Sequence, residues 1–418
     1  MPGADDDELK RRVSETFAAY KFSYWQGLSG MDRLASLADD KLKQVGIKYR
    51  RAWRCQTNHG EDGREAPVHC VGVWDTVGAV GMPVDELRDG LTWLLQQLAR
   101  IRFLSKYVPV VEFLDGTPPR HMQHGFHALA IDDQRQAFHP TLWKESGNPA
   151  EGAQVEQVWF AGMHSNVGGG YPKDQLALVS LDWMMDRVEA CGVRFLESSR
   201  AAVRQQLDEH GRMYDSRAGL GIYYRFMPRD LTKLWSDATK SDAARPILIH
   251  QSVMQRISAA TQGYAPHNLS SSFNLVSRTA LNPPVYQQQP WQVDAGKCDY
   301  YDVCLARSAH YASWRRIIYM LLVGATLIFL GLITMLDPIP QGEMIEASPL
   351  LGGLISLLQF LLPDMLGGRL EALGAYEAPF WSLVGVLALL FVGHRLLKRK
   401  MINSAQAGWR RIFPLKSD

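Results

Sequence analysis

The sequence has little net charge: 45 Lys and Arg stand against 43 Asp and Glu, leaving +2 over 418 residues. That balance gives no basic footprint for a phosphate backbone, so nucleic acid is not expected as a partner. Cysteine is also sparse. Cys55, Cys70, Cys191, Cys298 and Cys304 are odd in number and widely spaced, which excludes both a disulfide framework and a zinc knuckle and fits free thiols in a reducing compartment. His121, His124 and His127 cluster, but no cysteine or carboxylate spacing accompanies them, so neither a metal nor another cofactor is assigned. There is no G-x-G-x-x-G, and no Walker lysine or threonine follows the Gly168–Gly170 run, which leaves little case for a nucleotide-phosphate loop. Internal repeats and low-complexity tracts are missing. The start, MPGADDDELKRR, has no apolar h-region, so no secretory signal is read there.

What the chain does have is an alternation of short apolar runs and amphipathic stretches. Residues 6–21 place Leu9, Val13, Phe17 and Tyr20 on one helical face, and a second amphipathic stretch covers 31–47. VHCVGV (68–73) is a strand-length apolar run, followed at 84–103 by leucines at helical spacing. A further apolar piece lies within 125–143, then a strand at 155–160 and a helix from about Asp174 to Cys191. This order predicts an α/β layer with a parallel sheet and flanking helices. Residues 195–310 show weak periodicity beyond a helix at 198–206 and read as an irregular cap-like part.

Beyond that, IIYMLLVGATLIFLGLITML (317–336) is uncharged and long enough to span a bilayer, and a second candidate runs from 378 to about 395. PLLGGLISLLQFLLPDML (349–366), broken by glycine and proline, reads as interfacial or re-entrant. Arg315 and Arg316 precede the first span, and Arg395, Lys398, Arg399 and Lys400 follow the last, whereas the intervening loop is acidic. The positive-inside rule then puts both ends in the cytoplasm, with a basic tail at 401–418 and a membrane anchor over 311–400 behind an amino-terminal domain at 1–310.

Two residues stand where chemistry is expected. Asp75, in WDTVG, follows the first apolar strand; His164, in MHSNVGGGYP, follows another. Residues just past the carboxyl ends of parallel strands share one edge of the sheet, so the two can meet. An acid orienting a histidine base is what acyl transfer requires. The competing readings are an Asx-turn or helix cap for Asp75 and a structural turn bearing a surface histidine for His164. His250, after PILI, is a second candidate base, ranked below His164. The chain has no G-x-S-x-G upstream of Asp75; Ser29 in QGLSG is the nearest imitation and no strand precedes it.

The segments VGVWDTVGAVGMP (71–83), HALAIDDQRQAFHPTLW (127–143) and QVWFAGMHSNVGGGYP (157–172), with IHQSVMQRI and GYAPHNLS further on, resemble the DUF2235 family. That family includes the phospholipase catalytic domain of type VI secretion lipase effectors. The resemblance implies a partial α/β-hydrolase-like parallel sheet, a phospholipid or other lipid-ester substrate, Asp75 as triad acid and His164 as triad base. It also implies a D-G-T strand and a G-F-S-R-G-A elbow ahead of Asp75. Neither is found there, and Asp115-Gly116-Thr117 comes too late. The expectation is therefore a lipid-ester hydrolase at the bacterial inner membrane, multi-pass, whose nucleophile comes from a complementary amino-terminal polypeptide. Secretion-system components are further expected partners, and the alternative is a catalytically inactive membrane-anchored interaction module. Asp132, Asp133 and Arg135 resemble the family's D-E-x-R cluster, either as a support for the active-site loops or as a solvated ion pair. Asn166 stands where the family usually has aspartate.

Overall fold

The apolar run that starts the sheet, Val68–Trp74, is β1, and it is followed by β2 (Met122–Ala130), β3 (Gln154–Phe160), β4 (Leu248–His250), β5 (Ser272–Arg278) and β6 (Tyr286–Gln292). In this computed structural model the described residues are 10–11, 68–77, 118, 122–144, 154–239, 246–279, 285–336, 348–361, 369, 371–372 and 377–414. The helix expected over 6–21 (apart from residues 10 and 11), those over 31–47 and 84–103, Ser29, Asp115–Thr117 and His121 lie outside them. The strands form one sheet in the order β1-β2-β3-β4-β5-β6, parallel through β5, with β6 antiparallel on β5. It is thus a mixed sheet rather than the wholly parallel one expected, within the same α/β class.

The carboxyl-terminal halves of β2 and β3 are buried on both faces. Their near-continuous apolar runs are what helices packed on a parallel sheet require. Three of the six strands come from the stretch that weak periodicity marks as irregular. β4 is only three residues long, and β6 (YQQQPWQ) is mostly exposed and carries Pro290. A strand at the rim of a sheet tolerates proline and polar residues and so leaves little hydrophobic signal.

Around the sheet lie α1 (His164–Gly168), α2 (Gln175–Ala190), α3 (Glu197–Gln206), α4 (Leu231–Thr239) and α5 (Gln251–Ser258). Trp183 of α2 is fully buried, with its ring edge-on to Phe126 of β2 (6.3 Å) and Phe160 of β3 (5.5 Å). The same helix buries Asp182 and Asp186, a cost that holds only if both are paired. Arg200 contacts Asp186, Arg204 reaches Asp182 (3.2 Å), Arg278 reaches Asp186 (3.0 Å) and the Tyr286 hydroxyl donates to Asp186 Oδ2 (3.0 Å). One polar patch thereby joins α2, α3, β5 and β6.

This sheet belongs to the first of two units, Met1–Ser216 with Arg229–Gln262 and Ser272–Gln292; the second comprises Arg217–Pro228, Gly263–Ser271 and Val293–Asp418. The second unit is built on α6 (Ala295–Met335) and α8 (Glu377–Ile412), with α7 (Pro349–Leu361) between them in sequence. α6 and α8 run antiparallel. Tyr301 meets Trp409 (4.9 Å between rings), Ser308 donates to the Met401 carbonyl (2.8 Å), Arg315 meets His394 (3.0 Å) and Phe329 meets Phe380 (6.2 Å). Leu351 and Ile355 of α7 cluster with Phe329, Ile333 and Phe380. Segments 217–228 and 263–271 lace the charged half of this hairpin. Tyr319 donates to the Tyr223 carbonyl (2.9 Å), Arg315 lies over the Phe226 ring (4.0 Å), and Trp409 donates to the Pro266 carbonyl (2.9 Å).

Trp183→Ala removes the α2 side chain that packs on Phe126 of β2 and Phe160 of β3, and a buried tryptophan-to-alanine change costs about 3–5 kcal/mol. Thermal melting of the full chain in detergent should show a correspondingly lowered midpoint.

Candidate active site

Asp75 is the first residue past β1 and has φ +41°. That left-handed conformation is uncommon outside glycine but open to aspartate. Its N–H donates to the Ala128 carbonyl (2.7 Å), so the turn is pinned to β2. The carboxylate is fully buried and accepts four bonds: Arg229 Nη1 to Oδ1 (2.7 Å), Arg229 Nη2 to Oδ2 (2.7 Å), the Ala130 N–H to Oδ1 (2.9 Å) and His164 Nδ1 to Oδ2 (2.8 Å). Burial is the largest influence on its ionisation and opposes it. The Arg229 charge, with the bonds from His164, Arg229 and Ala130, outweighs burial and holds Asp75 well below the usual carboxylate range. These partners exclude the helix-cap and Asx-turn readings.

His164 opens α1, directly after the β3 strand end, and its side chain is 29% exposed. With Nδ1 facing a carboxylate, the proton belongs on Nδ1 and the Nε2 lone pair is left for chemistry. The ring stands edge-on to Phe138 (5.3 Å), over which the Arg135 guanidinium lies at 3.4 Å. Asp133, fully buried, makes a bidentate pair with Arg135 (3.0 and 2.7 Å), and its Oδ2 also accepts the His164 N–H (3.2 Å). Asp132 Oδ2 accepts the Gly162 N–H (2.7 Å). The D-D-x-R cluster is therefore a buried clamp on the His164 loop rather than a solvated ion pair.

Within that loop, Gly162 has φ +112° and a Cβ there would collide with Asn166. Gly169 and Gly170 also have positive φ, but a Cβ at either would meet open space. Those two glycines serve backbone conformation rather than close approach. Asn166 uses both ends of its amide: Nδ2 donates to the Arg212 carbonyl (3.1 Å), and Oδ1 accepts the Tyr214 N–H (3.2 Å). A carboxylate has no donor for the first bond, which gives asparagine a structural reason to stand there.

His127 and His250 are each held by protein groups. His127 is buried beside Asp75; its Nε2 accepts the Thr76 N–H (3.2 Å) and its Nδ1 faces Gln157 Oε1 (3.2 Å). Burial lowers its pKa to about 4 despite the opposing Asp75 charge, so it is neutral at pH 7. His250 caps α5 by accepting the Ser252 N–H, stacks on Phe160 (4.6 Å), and is held by burial, with Arg187, at about 3. The structure brings Asp75 to His164 and does not bring His250 to either. Sequence reasoning missed Arg229, which sits in the FMPRD stretch before α4 with no apolar period or motif around it. Among the described residues no hydroxyl is hydrogen-bonded to His164.

An α/β sheet with a buried aspartate bonded to a half-exposed histidine past its strand ends has the geometry of the acid–base half of an acyl-transfer hydrolase. Residues 8–187 match the family described as T6SS, phospholipase effector Tle1-like, catalytic domain. The matched segment includes both Asp75 and His164. No curated protein and no solved structure matches the chain.

Asp133→Ala deprives Arg135 of its bidentate partner and the His164 N–H of its acceptor. Breaking a buried pair from one side costs about 3 kcal/mol. Melting should show that loss, and the Asp133→Ala/Arg135→Ala double variant should lose clearly less than the two single losses added together.

Proposed function

We propose that the chain hydrolyses phospholipid acyl esters at a membrane to which α6 and α8 anchor it, with His164 as general base and acid and Asp75 as its orienting carboxylate. The observation that carries the reading is the 2.8 Å bond between His164 Nδ1 and Asp75 Oδ2, inside the segment that matches a phospholipase effector catalytic domain. His164 Nε2 takes the proton from a hydroxyl nucleophile as it attacks the ester carbonyl, then returns it to the leaving alcohol. Asp75 stays ionised and stabilises the imidazolium that forms between the two steps.

The anchor rests on how the hairpin is built. α6 and α8 each carry a stretch long and apolar enough to cross a bilayer, and only 28% and 11% of those stretches is buried. Leu321, Ile328, Met335, Leu389 and Val392 point outward, and Leu322, Phe329, Ile333 and Phe380 are buried. A core helix of a water-soluble domain buries most of such a stretch. Because Arg315 meets His394, the basic flanks of both spans lie at the same end of the hairpin, as the positive-inside rule asks of a two-span anchor with both ends in the cytoplasm.

The reading needs a nucleophilic hydroxyl, and a fluorophosphonate probe on the full chain reports whether this polypeptide supplies it. Labelling of the chain identifies its own serine. Hydrolysis that appears only when a second polypeptide is added identifies a serine supplied in trans, and neither labelling nor hydrolysis under either condition favours the non-catalytic membrane module. His164→Ala should lower phospholipid ester hydrolysis by about 10²–10⁴-fold; equal turnover by parent and variant overturns the role of His164. In carbonate-washed membranes the full chain should stay with the lipid, and its release into the wash would count against the anchor.

A further inference from the structure

Arg229 enters the structure as a fully buried cation paired with Asp75. Its guanidinium meets both carboxylate oxygens at 2.7 Å, and it also donates to the carbonyls of Ala130 and Phe138. One side chain thus joins the turn after β1, the end of β2 and the residue whose ring supports His164. We infer that Arg229 is a positioning residue for the acid–base pair, fixing the plane and the charge of Asp75 so that Oδ2 receives the His164 Nδ1–H. The inference rests on the roles proposed above for Asp75 and His164, and it assigns Arg229 no contact with a reacting atom.

The geometry explains why an arginine is needed. A carboxylate held by one donor per oxygen can rotate about its Cβ–Cγ bond, whereas the planar fork binds both oxygens at once and fixes that angle. Once the plane is fixed, the second lone pair of Oδ1 goes to Ala130 and that of Oδ2 to His164. The fork also answers the charge problem. A carboxylate with no exposed surface would take up a proton, and a protonated Asp75 can no longer serve as a full acceptor for the imidazolium. Lysine keeps the cation but has a point charge in place of the fork.

The test compares thermal melting of the full chain in detergent between pH 4 and pH 8 for the parent, Arg229→Gln, Asp75→Asn and the double variant. In the parent, Asp75 does not titrate in this window, because its carboxyl is held well below the usual range. Without the guanidinium, burial dominates and raises the folded carboxyl above its unfolded value of about 4. A carboxyl raised in the folded state loses stability as pH rises between those two values. The midpoint gap between parent and Arg229→Gln should therefore widen by about 5 °C from pH 4 to pH 7, and the gap between Asp75→Asn and the double variant should stay flat. A parent–variant gap that does not change with pH overturns the inference. If Arg229→Gln does not fold, Arg229→Lys carries the test in an assay on phosphatidylcholine mixed micelles. There kcat should fall about tenfold or more with KM within about twofold, since a lost orientation acts on turnover and not on binding; an unchanged kcat overturns it. The melting readout does not involve hydrolysis, so a pH-dependent gap alongside full activity in His164→Ala would sink the functional reading and leave the Asp75–Arg229 coupling standing.

Discussion

A carboxylate with no access to water must be either neutral or fully satisfied, and Asp75 is satisfied by four bonds from three places in the chain. The Ala130 N–H ends β2, His164 follows β3, and Arg229 supplies two bonds from the turn before α4. The positions of the strand ends, the left-handed turn at Asp75 and the loop that presents His164 all have to be right at once for that satisfaction to exist. Breaking any one leaves a buried charge short of a partner, which is among the largest single penalties a fold can carry.

The surrounding polar residues make sense as supports for that arrangement. The Thr76 N–H, next in the chain after Asp75, goes to His127, which goes to Gln157, whose amide brackets Trp143 through both its N–H and its carbonyl. On the other side, Asp132 and Asp133 hold the backbone of Gly162 and His164. Each is a side chain bonded to a strand-end backbone group that lies beyond the reach of the sheet ladder, so each replaces a partner that the main chain lacks there. The result is an edge of loop segments tied together by side-chain bonds rather than by the sheet ladder.

How much of this is legible in the sequence depends on whether a residue's neighbours carry a pattern. Asp75 and His164 follow apolar runs of strand length, so their place at one sheet edge follows from strand topology alone. The buried state of Asp133 is less legible, because a D-D-x-R string reads the same whether solvated or clamped; burial comes from β2 ending beneath it. Arg229 has no pattern at all: FMPRD lies between a turn and a helix, and its partner is 154 residues away in sequence. The second half of the sheet was hidden for another reason. Three residues suffice for β4 because its neighbours on both sides supply the burial, and β6 is polar because it lies at the rim. Asn166 could be read as a lost aspartate until its donor bond to Arg212 was seen.

The two units distribute apolar and polar side chains differently. In the sheet unit, apolar side chains fill the middle and charge is admitted only where it is paired, as at Asp75–Arg229 and in the Asp182–Asp186 patch. In the helical hairpin, many apolar side chains are exposed, and the inward contacts combine apolar packing at Phe329 and Phe380 with Ser308 on the Met401 carbonyl, Ser404 on the Cys304 carbonyl and Arg315 on His394. In a hydrocarbon setting apolar surface no longer separates inside from outside, and a few such polar contacts fix which faces meet. Arg315 and His394 stand where the apolar stretch gives way to the basic flank. That contact therefore ties the two helices together where their apolar stretches end, and the polar contacts beyond it, at Cys304–Ser404 and Ser308–Met401, continue the same register into the charged half of the hairpin.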